Sequence, residues 1–326
     1  MTKTDETLER INKFRKYVDK DDLIIAKDIK VKKVSTGSIG IDKALNGGFP
    51  LGQIVTLFGP YDSAKSTIAL TTVANAQKEG MHCIYINSEG SFNPEWAKKN
   101  GVDTDTLVIW DVNSFEEIEN GIRGILNDSI FHVVVLDSIT AVSTEKDFEE
   151  SGDNRLGILA AGMSKMLRKI SAWQNRNCLI ILISQLRMKT MGQVWVGSWS
   201  GGNAVDHYSS IIIRMNRGGK EDITKDTLLM GNLDKSVDIV TGFKVTWELV
   251  KSKVSTKKAL GSFYCKTQGG IDNIGEIIEL GINYGVIEKA GSWFKYGGNS
   301  YHGTQDLNKA MQEDDKLLER IANEIT

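Results

Sequence analysis

From Val31 onward, short apolar runs alternate with longer amphipathic stretches, and this alternation limits the chain to few architectures. The runs at 54–58, 83–87, 107–110, 133–137 and 179–184 are too short for core helices and too apolar for water, so they predict buried strands. Between them lie helical patterns at 66–78, at Ile118, Ile122 and Ile125, and at Leu156, Leu159, Met163, Met166, Leu167 and Ile170. The last set recurs every three or four residues and makes one apolar face. Strand and helix in turn predict βαβ units, hence an α/β protein whose mostly parallel sheet is flanked by helices.

The rest of the chain is organised around that core. Residues 5–20, with Leu8, Ile11, Phe14 and Val18 among charges, predict an amphipathic helix followed by a polar linker. Residues 191–202 are rich in Gly, Trp and Ser without periodicity and predict a long functional loop. Strands are expected again at 209–215 and 243–250, separated by a polar insertion at 218–238. From Gly275 the pattern suggests a small α/β appendage ending in a charged helix from Asp306. The expected domains are therefore 1–33, 34–266 and 267–326.

With 326 residues, 40% hydrophobic and 25% charged, the chain can bury a sizeable core and is neither fibrous nor disordered. Cys83, Cys178 and Cys265 are too scattered for a metal site and read as buried thiols in a reducing compartment. The N-terminus lacks the apolar stretch of a signal peptide and no later run would span a membrane, so the expected location is the cytoplasm. A net charge of -2 does not announce a nucleic-acid partner; any such case rests on local constellations.

The segment Gly59, Pro60, Tyr61, Asp62, Ser63, Ala64, Lys65, Ser66 lies between a buried strand and a helix that continues through Thr67. A turn of that kind presents backbone N–H groups and a helix N-terminus to phosphate oxygens. Lys65 would reach the terminal phosphates of a nucleoside triphosphate and Ser66 would ligate Mg²⁺. Ala64 stands where the usual pattern has glycine. At negative φ its methyl costs little; at positive φ it introduces strain. Asp137 ends an apolar strand and has the form of the companion carboxylate that orients Mg²⁺, although a core strand stopped by a capping Asp looks the same. Glu89 and Gln185 each follow a core strand, where parallel-sheet enzymes collect catalytic groups. A solvated acid and a surface glutamine are their ordinary alternatives.

With these residues assembled, the chain resembles the RecA family of bacterial recombinases. The likeness lies in STGSIGIDKALNGGFPLGQIVTLFGPYDSAKST, INSEGSFNPEWAKKNGVD, VVVLDSITAV, SQLRMK, GGNAVDHY and GEIIELGINYGVIEKAGSWFKY, in that order from about Val34 to the C-terminus. It implies a RecA-type P-loop ATPase core, an N-terminal oligomerisation helix that docks on the adjacent protomer, and a small C-terminal domain. It also implies a helical homo-oligomeric filament that binds ATP and Mg²⁺, coats single-stranded DNA, pairs it with double-stranded DNA and exchanges strands.

By the same resemblance Glu89 activates water, Gln185 couples nucleotide state to the DNA loop, and Asn93 and Trp96 hold adenine, Trp96 replacing a tyrosine. Lys251 and Lys253 match lysines that reach the neighbour's ATP, whose bland alternative is two solvated lysines on one strand face. Ser164, Arg168, Met188, Lys189, Gly201, Gly202 and Asn203 match positions on the single strand's phosphates. Arg187 flanks the Gly-rich loop, Trp195 and Trp199 would stack on bases or else bury the loop against the domain, and Arg155 and Leu156 follow an acidic loop, Leu156 as an apolar wedge. Ala161 replaces a family arginine. Two other readings stand beside this one: an ATP-sensitive DNA-coating filament that scarcely hydrolyses because of Ala64, and a non-recombining RecA-fold ATPase with a signalling or motor role.

Overall fold

The computed structural model describes residues 3–14, 16–17, 23, 25–143, 153–173, 176–191, 194–199, 202–219, 223–229, 236–255 and 258–325, with side chains outside 153–160, 186–203 and 223–239. The chain falls into two compact units, Met1–Lys32 and Lys33–Thr326. In the first, helix α1 (Lys3–Phe14) carries Asp5 and Glu6 in its first turn and Lys13 in its last, charges that complement the helix dipole. It ends at Phe14 in a turn closed by Tyr17 N–H to the Phe14 carbonyl, and residues 15 and 18–20 of the expected helix lie outside the described residues.

The second unit begins with β1 (Lys33–Val34), α2 (Ile39–Ala44) and β2 (Phe49–Pro50), and then enters the strand–helix alternation. β3 (Ile54–Gly59), α3 (Lys65–Lys78), β4 (Cys83–Asn87), α4 (Pro94–Lys99), β5 (Val108–Asp111), α5 (Phe115–Asp128) and β6 (Val133–Asp137) follow in order. Next come α6 (Asp153–Trp173), β7 (Leu179–Met191), β8 (Val194–Trp199), α7 (Gly202–Tyr208), β9 (Ile211–Arg217), β10 (Ile223–Leu229), β11 (Ser236–Ser252) and β12 (Leu260–Lys266). The strands β5-β4-β6-β7-β3-β9 pair in parallel in that spatial order, and β11 extends the sheet antiparallel to β9, itself pairing with β10 and β12.

Alternate side chains of the parallel strands enter two separate cores. Val133, Val135, Leu179, Ile181 and Ile183 join α3 on one face, while Val134, Leu136, Ile180 and Leu182 join α5 and α6 on the other. This two-sided burial is why the strands read as continuous apolar runs rather than alternating ones. Met163, Met166, Leu167 and Ile170 are buried on one face of α6, as their spacing predicts.

Three segments differ from the sequence expectation. The loop expected at 191–202 is largely strand: β7 runs on to Met191 and turns back as β8, pairing Leu186 with Trp199 and Lys189 with Val196. The polar insertion at 218–238 contains the β10–β11 hairpin, which lengthens the sheet edge. The appendage is α8 (Asn273–Asn283), a three-stranded antiparallel sheet β13 (Glu288–Ala290), β14 (Trp293–Tyr296) and β15 (Asn299–His302), and two helices, α9 (Gly303–Glu313) and α10 (Asp315–Ile325), rather than one. Strand-forming residues do lie in the first two, Val194, Trp195 and Val196 in β8 and Ile223, Leu228 and Leu229 in β10, but Gly, Ser and charged neighbours interrupt them.

α8 is fastened to α2 by a buried carboxylate. Glu276 is 0% exposed; its Oε1 accepts from Ser38 Oγ at 2.6 Å and Gly40 N–H at 3.0 Å, and its Oε2 from Ile39 N–H at 3.0 Å. These donors are the otherwise unpaired first turn of α2. Burial pushes the Glu276 carboxyl up from 4.5 to about 7.

Candidate functional site

The parallel strands deliver their carboxyl ends to one edge of the sheet. Gly59 at the end of β3 is in register with Gln185 on β7, and Asn87 at the end of β4 with Asp137 at the end of β6. Ligands of open α/β sheets bind along such an edge. Glu89, two residues past Asn87, is brought there by its strand.

The turn from β3 into α3 is shaped by backbone. A Cβ on Gly59 would lie 2.0 Å from the Met215 carbonyl oxygen, so no other residue fits against β9 at that point. Asp62 and Ala64 have φ of 56° and 62°, both left-handed, with Ser63 between them outside that region. Such alternation of hand turns successive N–H groups toward one centre and makes an anion-binding concavity at the start of α3. Ala64 occupies the N-cap of α3 at φ 62°, ψ 22°, so the positive-φ alternative holds and its methyl is strained. Tyr61 is exposed, and Thr67 is buried in the first turn of the helix.

Lys65 is buried beneath the loop, and its Nζ donates to the Pro60 carbonyl at 2.6 Å, the Gly59 carbonyl at 3.1 Å and Ser63 Oγ at 3.3 Å. Burial lowers its pKa, and the charges of Asp137, Glu89 and Asp62 oppose that shift. Ser66 Oγ donates to Asp137 Oδ2 at 2.8 Å, and the Tyr85 hydroxyl donates to the same oxygen. Burial raises the Asp137 pKa against the lowering effect of those two hydrogen bonds. The hydroxyl and carboxylate oxygens of Ser66 and Asp137 are hard donors that suit Mg²⁺, and their adjacency at the loop fits that ion.

Glu89 is held from two sides. Gln185 Nε2 donates to Glu89 Oε1 at 2.9 Å, and Ser138 Oγ donates to the same atom. The Gln185 backbone is itself fixed by its N–H to Thr140 Oγ1 at 3.1 Å. Tyr85 and Ser138 are absent from the residues expected from sequence. The available signal is a phenol between Ile84 and Ile86 in a buried strand, because a buried hydroxyl needs a partner.

Asn93 caps α4, accepting from Trp96 N–H at 3.0 Å, and Trp96 packs half-buried against the core behind the loop. Lys251 and Lys253 are not beside the loop. Lys251 is in register with Ile212 on β9, and Lys253 N–H bonds the Ser210 carbonyl, at the opposite end of the strands from Gly59. The Lys251 ammonium is held by the carbonyls of Asp206 and His207 at the C-terminus of α7.

Ser164 and Arg168 lie one turn apart on the exposed face of α6. Arg187, Met188 and Lys189 lie on β7 just beyond Gln185, Trp195 on β8, and Gly202 and Asn203 at the start of α7. Arg155 and Leu156 lie in the first turn of α6. For these eight positions the backbone alone is described, and Gly201 lies outside the described residues.

Known proteins supply an independent line. A family model described as the RecA N-terminal domain matches residues 3–258, and one described as the RecA C-terminal domain matches residues 275–326. A "Protein RecA" of Sulfurovum sp. (strain NBC37-1) is 34% identical over 301 residues, covering 90% of this chain and 83% of that protein. A "Protein RecA" of Pseudomonas putida is 34% identical over 302 residues, covering 90% and 81%. A "Mitochondrial DNA repair protein recA homolog" of Dictyostelium discoideum is 36% identical over 304 residues, covering 91% of this chain and 64% of its own length. With both domain matches in chain order and the loop, strand-end carboxylates and Gln185 gathered on one sheet edge, the chain belongs to the RecA family.

Proposed function

We propose that this protein is an ATP-dependent recombination and repair protein that forms helical filaments on single-stranded DNA, pairs it with homologous double-stranded DNA and exchanges strands. RecA-family proteins are in general DNA-dependent ATPases, and the reading for this chain is ATP hydrolysis to ADP and phosphate in the cytoplasm. The observation that carries it is the Gln185–Glu89 hydrogen bond of 2.9 Å beside the phosphate loop. It joins a water-activating carboxylate to the strand that continues, without a break, into the β7–β8 hairpin.

Hydrolysis in this arrangement runs by positioning and charge. Backbone N–H groups of residues 62–67 and the ammonium of Lys65 receive the phosphates, while Asn93 and Trp96 border the base. Ser66 and Asp137 would hold Mg²⁺, which when bound neutralises charge on the phosphate oxygens. Glu89 orients the attacking water and accepts its proton, with Gln185 and Ser138 fixing the carboxylate. Lys251 and Lys253 complete the site of the adjacent protomer. The DNA surface comprises Arg155, Leu156, Ser164, Arg168, Arg187, Met188, Lys189, Trp195, Gly201, Gly202 and Asn203. Residues 1–33 serve assembly, with Leu8 and Phe14 exposed along α1; 34–266 form the ATPase core and 267–326 the small C-terminal domain.

The test is ATPase rate and D-loop formation, each with and without single-stranded DNA. Stimulated hydrolysis together with ATP-dependent D-loops is expected. Hydrolysis indifferent to DNA and a lack of D-loops would overturn the reading.

A further inference from the structure

The phosphate loop contains a carboxylate, Asp62, three residues before Lys65. An aspartate there opposes a polyanionic ligand and partly cancels the loop's own cation. Asp62 and Lys65 share the one turn that joins β3 to α3. Asp62 is 76% exposed, yet it is not left to solvent: its Oδ2 lies 3.1 Å from the guanidinium of Arg217.

Arg217 is the last residue of β9, far from the loop in sequence but beside it in space. Its backbone is in register with Val245 on β11, and its guanidinium lies over the Phe243 ring, 4.3 Å from the centroid. Stacking on Phe243 orients the planar cation, and the ion pair then fixes Asp62 at its left-handed φ of 56°. β9 therefore touches the loop twice, through the Met215 carbonyl against Gly59 and through Arg217 against Asp62.

We propose that Arg217 is a positioning residue for nucleotide binding, which neutralises the Asp62 carboxylate and so removes its repulsion of the triphosphate held at the loop. The proposal rests on the loop being the ATP site. As an exposed pair it contributes little to folding, so its effect lies on the ligand rather than on stability. Removing Arg217 leaves a free negative charge within several ångströms of where phosphates bind, a repulsion that weakens binding about tenfold at low salt.

The experiment is equilibrium titration of the full chain with a fluorescent ATP analogue and Mg²⁺, at low and at high salt. It compares wild type, R217A, R217K, D62N and D62N/R217A, with thermal unfolding as a control. R217A is expected to bind about tenfold more weakly than wild type, with the loss shrinking at high salt. R217K retains most of the affinity. D62N/R217A binds as D62N does, because without the carboxylate Arg217 has nothing to neutralise. An equal loss from R217A in both backgrounds, or no loss in either, overturns the proposal while leaving the loop as the ATP site. Failure of wild type to bind the analogue overturns both.

Discussion

Gln185 Nε2 donates to Glu89 Oε1 at 2.9 Å, and the strand that carries Gln185 is in register with Gly59 at the head of the phosphate loop. One glutamine thus touches the candidate base, lies beside the head of the β3–α3 loop and begins the segment that becomes the β7–β8 hairpin. Glu89→Gln keeps the shape of this contact and removes the proton acceptor. Turnover is expected to fall by about 10²–10³-fold while ATP affinity changes little. Steady-state ATPase assays and nucleotide titration measure the two quantities; wild-type turnover in the variant would reject Glu89 as the base. Gln185→Ala leaves the acceptor in place and is expected to abolish stimulation by single-stranded DNA more than basal hydrolysis.

Ala64 separates two opposing effects. Its left-handed backbone costs an L-residue roughly 1–2 kcal/mol, whereas burying its methyl returns about 0.8 kcal/mol. Ala64→Gly is therefore expected to stabilise the protein by about 0.5–1 kcal/mol and to raise turnover by relieving crowding at the phosphates. Chemical denaturation and ATPase rate test both halves. A variant that is less stable and no faster would mean that the methyl's packing outweighs the strain.

The parallel core was legible because two-sided burial writes itself into sequence as apolar runs of strand length. The turn from β3 into α3 was legible because an apolar run of strand length gives way at Gly59 and Pro60 to a helical pattern from Ser66. What escaped was set by contacts distant in the chain. Arg217 reads as one more charge at a strand end until β9 brings it to Asp62. Glu276 sits in GEIIELG, where a glutamate on an amphipathic helix resembles a solvated one, and only the docking of α8 on α2 buries it. In the β7–β8 hairpin the β-formers Val194, Trp195 and Val196 stand between Gly192 and Gly197, and those glycines mask a strand that its pairing with β7 completes.

The Glu276 carboxyl, at about 7 in the folded chain against 4.5 ordinarily, binds a proton more tightly folded than unfolded. Its protonation therefore adds stability that is fully present below about pH 4.5 and is lost as pH rises through about 7. Glu276→Gln removes that dependence and adds a constant cost, because one face of the amide presents N–H to the N–H of Ile39 or Gly40. The denaturation midpoint of wild type relative to the variant is expected to decline between pH 5 and pH 8. Parallel curves across that range would show that Glu276 does not titrate there.

Lys251 is level with Thr56 and Lys253 with Ile54, three and five residues of β3 before Gly59, roughly 10 and 16 Å along the strand, and the Lys251 ammonium is held by the Asp206 and His207 carbonyls. Neither lysine can meet the phosphates bound by its own loop, so any nucleotide they touch belongs to another protomer. The K251A/K253A protein keeps its loop and lacks the donated cations; K65A keeps the cations and lacks the loop's lysine. Each alone is expected to hydrolyse ATP poorly. Mixed before DNA is added, they form junctions in which an intact loop faces intact Lys251 and Lys253. Activity should then rise above the sum of the two, peaking near equal proportions. Simple additivity at every ratio would place the lysines' role within one protomer, against the geometry of the sheet.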